Sequence, residues 1–279
     1  MHQVIENFNL DLPFPDVFPS EWASMIQPCD FMAFRNLDHF KFVVSKLKQK
    51  NDTQCGMTYA DALTRLLEGQ SDFPKEEQAS IRNLVRENLH KRGLLTQEVY
   101  ENFRYTTDGT KVDVDVGKYT AGEPDCVITP SRQYIDFFYE LYISISYPYG
   151  VADSLVRKNT AKLLATIEEL ERQHIFIKIT LIFPDRGCVI RDEDNKGRSN
   201  FVSAIPLFSH KEPKSVDTMS SVVNERLLRK FYFAILEDLY GDNLASSYGH
   251  ALEIDTAMNI GKEFNEVEFF ESIVNSVGA

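Results

Sequence analysis

The sequence predicts an α/β protein, with a mixed sheet built around one parallel βαβ unit and a helical segment before it. Three observations carry this. Apolar residues recur at helical spacing through the first hundred residues. Near Tyr105 the texture changes, and Val112, Val114 and Val116 alternate with Lys111, Asp113 and Asp115, the period of a half-buried strand. From Tyr139 to Phe183 the chain reads strand, helix, strand, at a length that makes a right-handed crossover between parallel strands. The expected division is a helical segment over 1–104 and an α/β core with C-terminal helices over 105–279, packed as one compact unit.

The elements follow in order. Asp30 to Lys50 places Phe31, Phe34, Leu37, Phe40, Val43, Val44 and Leu47 on one helical face, behind Pro28. Thr58 with Asp61 three residues on resembles a capping box, and Gly69 suits the end of that helix. Pro74 fits the first turn of a third helix, Ile81, Leu84, Val85 and Leu89 form its buried face, and Gly93 stops it. Asp108–Gly109 is a turn before the alternating strand, and Gly122-Glu123-Pro124-Asp125 is a rigid loop after it.

In the βαβ unit, Leu141, Ile143 and Ile145 form a strand ending at Tyr147-Pro148-Tyr149-Gly150. Asp153 or Ser154 caps a helix running to about Gln173, and Ile175 to Phe183 is the second strand, ended by Pro184-Asp185-Arg186-Gly187. A parallel pair needs cover on both faces, and the N-terminal helices are the expected second cover. Cys188 to Arg191 reads as a returning edge strand, Phe201 to Leu207 as a further strand, Thr218 to Tyr240 as one helix, and Glu266 to Val277 as a closing amphipathic helix.

Composition narrows the function classes. Hydrophobic residues make up 43%, with 20 Phe, 12 Tyr and one Trp, enough to build a core, so global disorder is excluded. The net charge of −12 argues against a surface given over to nucleic acid. The apolar stretches have strand length, far below the ~18 residues of a membrane span, and the start lacks the basic and apolar regions of a signal peptide. Cys29, Cys55, Cys126 and Cys188 are dispersed, as are the histidines, so reduced thiols and no zinc site are expected. No cofactor is expected.

Two stretches carry resemblances. Gly109-Thr-Lys-Val-Asp-Val-Asp-Val-Gly-Lys-Tyr-Thr-Ala-Gly-Glu-Pro-Asp-Cys126 resembles the G-x-x-V-D-V…Y-x-x-G-E-P-[DE]-C signature of a bacteriophage and prophage family of unknown activity. Leu170-Glu171 before the second strand resembles that family's LE-x-x-G, with His174 or a neighbour at the glycine, and Arg226 to Glu237 resembles its late helix. This implies a phage-encoded protein in the host cytoplasm, and no activity. The βαβ unit also resembles the opening of a von Willebrand factor A domain, whose first strand ends in Asp-x-Ser-x-Ser and binds a divalent cation. Here Tyr142-Ile-Ser144-Ile-Ser146 keeps both hydroxyls and replaces the carboxylate with a phenol, a degenerate version of that site.

The best-placed candidate site is the carboxyl end of the first parallel strand, where α/β proteins bind ligands: Ser144, Ser146, Tyr147, Tyr149 and Asp153. The competing reading is that the serines face a neighbouring strand or cap the helix. Glu123, between Gly122 and Pro124, is the loop residue to test first. Asp113 and Asp115 share a strand face roughly 7 Å apart and are weak metal candidates against a solvated face. Arg82, Arg86 and Arg92 offer a local nucleic-acid contact against pairing with nearby carboxylates, and Arg226, Arg229 and Lys230 form a second basic cluster. Asp192 to Gly197 starts like a calcium loop, but Lys196 and Ser203 stand where ligands are needed.

No complete catalytic constellation is present; the sequence leaves enzymatic activity open and leans against it. The expected function is a non-enzymatic phage protein acting through contacts with a phage or host protein, as adaptor or regulator of an assembly, with no membrane association. The alternatives are a nucleic-acid-associated transcription or replication factor and, behind it, a divalent-metal-dependent enzyme.

Overall fold

The computed structural model describes residues 17–47, 58–69, 73–95, 103–106, 113–114, 116–122, 127–130, 136–148, 150–190, 197–223, 225–244 and 250–278. One turn, α1 (Trp22–Met25), leads into β1 (Cys29–Ala33), and α2 (Leu37–Lys46) follows. The helix predicted from Asp30 therefore begins only at Leu37. The reason is local: Asn36 accepts the His39 N–H at 2.9 Å and starts the helix there, while residues 29–33 find main-chain partners in a neighbouring strand. α3 (Tyr59–Glu68) has the expected cap, with Thr58 accepting the Asp61 N–H at 3.1 Å, and Gly69 closes it at φ +62°. α4 (Lys75–Lys91) starts after Pro74 and ends before Gly93. It buries Ile81, Val85 and Leu89 but leaves Leu84, at the margin of the stripe, exposed.

A small antiparallel sheet joins β2 (Phe103–Thr106), β3 (Asp113–Val114) and β4 (Val127–Pro130) in the order β2-β4-β3. The alternating strand shrinks to two residues, because the helical turn α5 (Val116–Thr120) takes over where the alternation was to continue. The βαβ unit is present: β5 (Phe137–Ser144), α6 (Asp153–Glu171) and β6 (Ile175–Ile190), with β5 and β6 parallel and paired Phe137 with Ile175 through Ser144 with Ile182. Ala152 holds the cap position of α6 with no side-chain bond, so neither Asp153 nor Ser154 is its cap. Asp153 is its first helical residue, where a carboxylate suits the helix dipole.

β6 does not stop at Pro184–Gly187. A register irregularity between Asp185 and Val189, with Gly187 at φ +66°, absorbs those residues, and Cys188–Ile190 continue the same strand rather than turning back. β7 (Arg198–Phe208) returns antiparallel to β6. Two helices, α7 (Val216–Val223) and α8 (Glu225–Tyr240), replace the single one predicted from Thr218. Short strands β8 (His250–Ala251) and β9 (Met258–Asn259) and helix α9 (Glu266–Gly278) complete the order. The main sheet runs β1-β7-β6-β5-β9, with β8 on the far part of β6.

One face of this sheet, with the helices, forms the main core, including Ile143, Ile177, Ile179, Leu181, Leu163 and Phe231. A lattice of charged contacts ties the helices together. Glu266 at the start of α9 accepts from Lys162 of α6 at 2.7 Å and from Asn88 of α4 at 2.7 Å. Burial pulls the Glu266 carboxyl upward, but Lys162 and the neighbouring donors outweigh it and hold it below the usual range. The second face is covered differently from expectation. Its cover is the short segment around Phe18, Trp22 and Ile26 with Leu252 and Ile254, set on Tyr142, Ile182, Val202 and Ala204. That cover reaches only the carboxyl half of the β5–β6 pair.

Candidate functional site

The two ends of the parallel pair have opposite character. At the carboxyl end, Ser144, Ser146 and Tyr147 are buried. The chain's own 258–262 stretch closes over them. Ser144 C=O accepts the Ile260 N–H at 3.1 Å, and Ser146 C=O accepts from Asn259 Nδ2 at 3.2 Å. Asn159 of α6 locks the stretch from below, donating to the carbonyls of Ile260 at 2.8 Å and Lys262 at 2.7 Å. Gly261 lies so close that a Cβ there would stand 2.6 Å from the Tyr147 Cβ. Tyr147 donates its hydroxyl to the Val223 carbonyl at 3.3 Å.

Ser144, Ser146 and Tyr147 of the predicted pocket thus line the protein interior, not an open crevice. Asp153 is half-buried at the start of α6, and Tyr149 lies outside the described residues. Ser144 Oγ is buried with no hydrogen-bond partner.

The other candidates are dispersed. Asp113 falls in β3, and Asp115 and Glu123 lie outside the described residues. Among the described residues no group of three or more His, Cys, Asp or Glu side chains could hold a metal ion. Arg82 meets Glu168 at 3.1 Å and Arg86 meets Glu169 at 3.9 Å, so both face α6 carboxylates rather than the nearer acids on α4. Arg92 is exposed at the end of α4. Lys230 is fully buried, which removes it from any surface cluster. A cleft of about 210 Å³ between α4, α6 and the 214–216 stretch is rimmed by Arg82, Glu168, Glu171 and Lys214. Lys214 is already bonded to Glu171 and to the carbonyls of His210 and Glu212.

The amino end of the pair is open. Phe138 and Phe176 are register partners on the face that the Trp22 segment leaves bare, and their rings stack at 6.1 Å. Phe138 is 55% exposed, an unusual state for so large an apolar group on a parallel strand. Lys211 places its ammonium 5.6 and 5.0 Å from the two ring centroids. It also bonds Asp136 at 2.6 Å, and His174 Nδ1 bonds the other oxygen of Asp136 at 3.1 Å. These hydrogen bonds, from Lys211 first and His174 second, hold the Asp136 carboxyl below the usual range. His210 packs edge-on to Phe138 at 5.1 Å, and partial burial lowers its affinity for a proton. Lys178 bonds Glu140 at 2.9 Å beside the rings.

His174 itself adopts φ +62°, a conformation that favours glycine. It stands where the sequence pattern suggested a glycine, after Leu170-Glu171.

Residues 28–272 match a protein-family model described as a domain of unknown function, DUF7192. The chain belongs to this family. The matched span takes in both ends of the β5–β6 pair and the 258–262 stretch that closes over the carboxyl end, and it begins after the Trp22 segment. No curated protein and no solved structure matches this DUF7192 chain. No helix among the described residues is long and apolar enough to cross a membrane.

Sequence reasoning missed the aromatic platform. The signal was there in phase: Phe138 and Phe176 sit at the same alternation as Glu140 and Lys178, polar residues that mark the face as wet.

Proposed function

We propose that this DUF7192 protein is a non-enzymatic, phage-encoded protein that works in the host cytoplasm through protein–protein contacts, as an adaptor or regulator of a phage or host assembly. The observation that carries the reading is the bare half-face at Phe138 and Phe176, a stacked aromatic pair on parallel strands that ordinarily lie under cover. Its setting suits a protein partner: an apolar centre of two rings, with Lys211, Asp136, Lys178 and Glu140 as a polar rim. The closed carboxyl end supports the same reading, because the usual ligand position of an α/β sheet is filled by the chain itself. The phage origin rests on the Gly109–Cys126 resemblance.

The test is capture of partners by the tagged full chain from infected cells. Phe138→Glu with Phe176→Glu should abolish retention of a specific partner, while Leu84→Glu, on an exposed position of α4, should leave it intact. Equal retention by all three proteins would overturn the proposal.

A further inference from the structure

A parallel ladder uses alternate residues of each strand. The Phe137 N–H donates to the His174 carbonyl at 2.9 Å, and the Ile145 N–H donates to the Ile182 carbonyl at 3.0 Å. Odd-numbered residues of β5 therefore bond β6, and even-numbered residues turn their N–H and C=O groups to the opposite edge. Ser144 fixes the phase, since its carbonyl accepts from Ile260 on that side. β9 pairs only with Ile143 and Ser144. Among the described residues no strand lies beside Phe138 and Glu140. Exposed edges are ordinarily blunted by charged side chains, lysine above all, by proline or by a bulge, and here Glu140 is the one charge in Phe137–Tyr142. The stretch Phe137–Tyr142 has no proline or lysine, and its register with β6 is continuous.

We propose that the occupant of this edge is a second copy of the chain, with two β5 strands pairing antiparallel about a two-fold axis at Tyr139 and joining the two sheets into one. Charge selects that register. Centring on Phe138 would set Asp136 opposite the partner subunit's Glu140, and centring on Glu140 would set it opposite itself; both juxtapose like charges. Centring on Tyr139 sets Phe138 opposite the partner subunit's Glu140, whose carboxylate then meets Lys211, the ammonium lying over the Phe138 ring. The two-fold axis repeats the contact, as a closed dimer requires. Edge pairing lies in the plane of the sheet and leaves the Phe138–Phe176 face uncovered, so dimerisation goes beyond the adaptor reading and doubles its surface.

Light scattering on the size-fractionated full chain should give twice the chain mass. Glu140→Pro removes an outward N–H and no bond to β6, and should halve the mass while leaving the circular dichroism spectrum unchanged. Tyr139→Cys supplies an independent readout. In this register residue 139 faces its own copy in a non-hydrogen-bonded pair, with Cα atoms about 4.5 Å apart, inside the disulfide range. Mild oxidation should link Tyr139→Cys between chains, and should not link Phe137→Cys or the wild type. A monomeric wild type, a folded Glu140→Pro that stays dimeric, or cross-linking at 137 in place of 139 would overturn the proposal. A monomer that still loses its partner through Phe138→Glu and Phe176→Glu would defeat the dimer and leave the adaptor reading standing.

Discussion

The carboxyl and amino ends of the β5–β6 pair use the same two strands for different purposes. At the carboxyl end, the 258–262 stretch, Asn159 and the Trp22 cover convert the customary ligand crevice into core. At the amino end, stacked phenylalanines and a Lys–Asp–His cluster stay in contact with solvent. The difference teaches that strand topology alone does not locate a site. What locates it is which end the rest of the chain leaves uncovered.

Substitutions can break or sharpen this contrast. The largest effect is expected at Trp22, fully buried and donating from Nε1 to Thr256 Oγ1 at 2.9 Å. Trp22→Ala should destabilise the fold by about 3–5 kcal/mol in urea unfolding. Asn159→Ala should follow at about 1–3 kcal/mol, since two buried carbonyls lose their donor. Gly261→Ala should fall in a similar ~1–3 kcal/mol range, because the new methyl meets the Tyr147 side chain at its root. His174→Gly acts in the opposite sense. Relief of the left-handed backbone should raise stability by about 1 kcal/mol, less the part-buried bond to Asp136. Phe138→Ala should change stability least, within about 0.5 kcal/mol, since over half of the ring is already in solvent.

Acid should act in two stages. His39 and His210 are both lowered by burial from the ordinary value of 6.5. A depressed folded value means that the unfolded chain binds protons first, so their contribution is present above pH 6.5 and lost as pH falls below it. Glu266, Glu140, Asp217 and Asp136 are likewise held below their ordinary values, and their contribution goes as pH falls through the acidic carboxylate range. The melting temperature should therefore be highest at neutral pH. It should decline modestly below 6.5 and steeply in strong acid.

Much of the fold was legible in the sequence because its signals are local. Thr58 with Asp61, Gly69, Pro74 and Gly93 mark helix ends by their own chemistry, and α3 and α4 begin and end beside them. The failures come where partners distant in sequence decide. Phe31 fits a helical face, yet β7 recruits it into a strand. Pro184 and Gly187 look terminal, yet a bulge carries β6 past them. The burial of Ser144, Ser146 and Tyr147 has the same origin. Ser144 and Ser146 are where strand topology puts ligands, but nothing near them in sequence announces that residues over a hundred positions later close that end. Arg82 and Arg86 meet acids that lie on α6, far off in sequence, rather than on their own helix.

The most direct test compares the two ends in one measurement. A photoreactive phenylalanine is placed in the full chain at position 138, at the open end, or at position 153, beside the closed end, and the chain is irradiated in cells that produce it. Position 138 should give a discrete adduct with another protein, lost when Phe176→Glu is added, and position 153 should give none. An adduct from 153 alone, or equal labelling from both positions, would contradict this expectation.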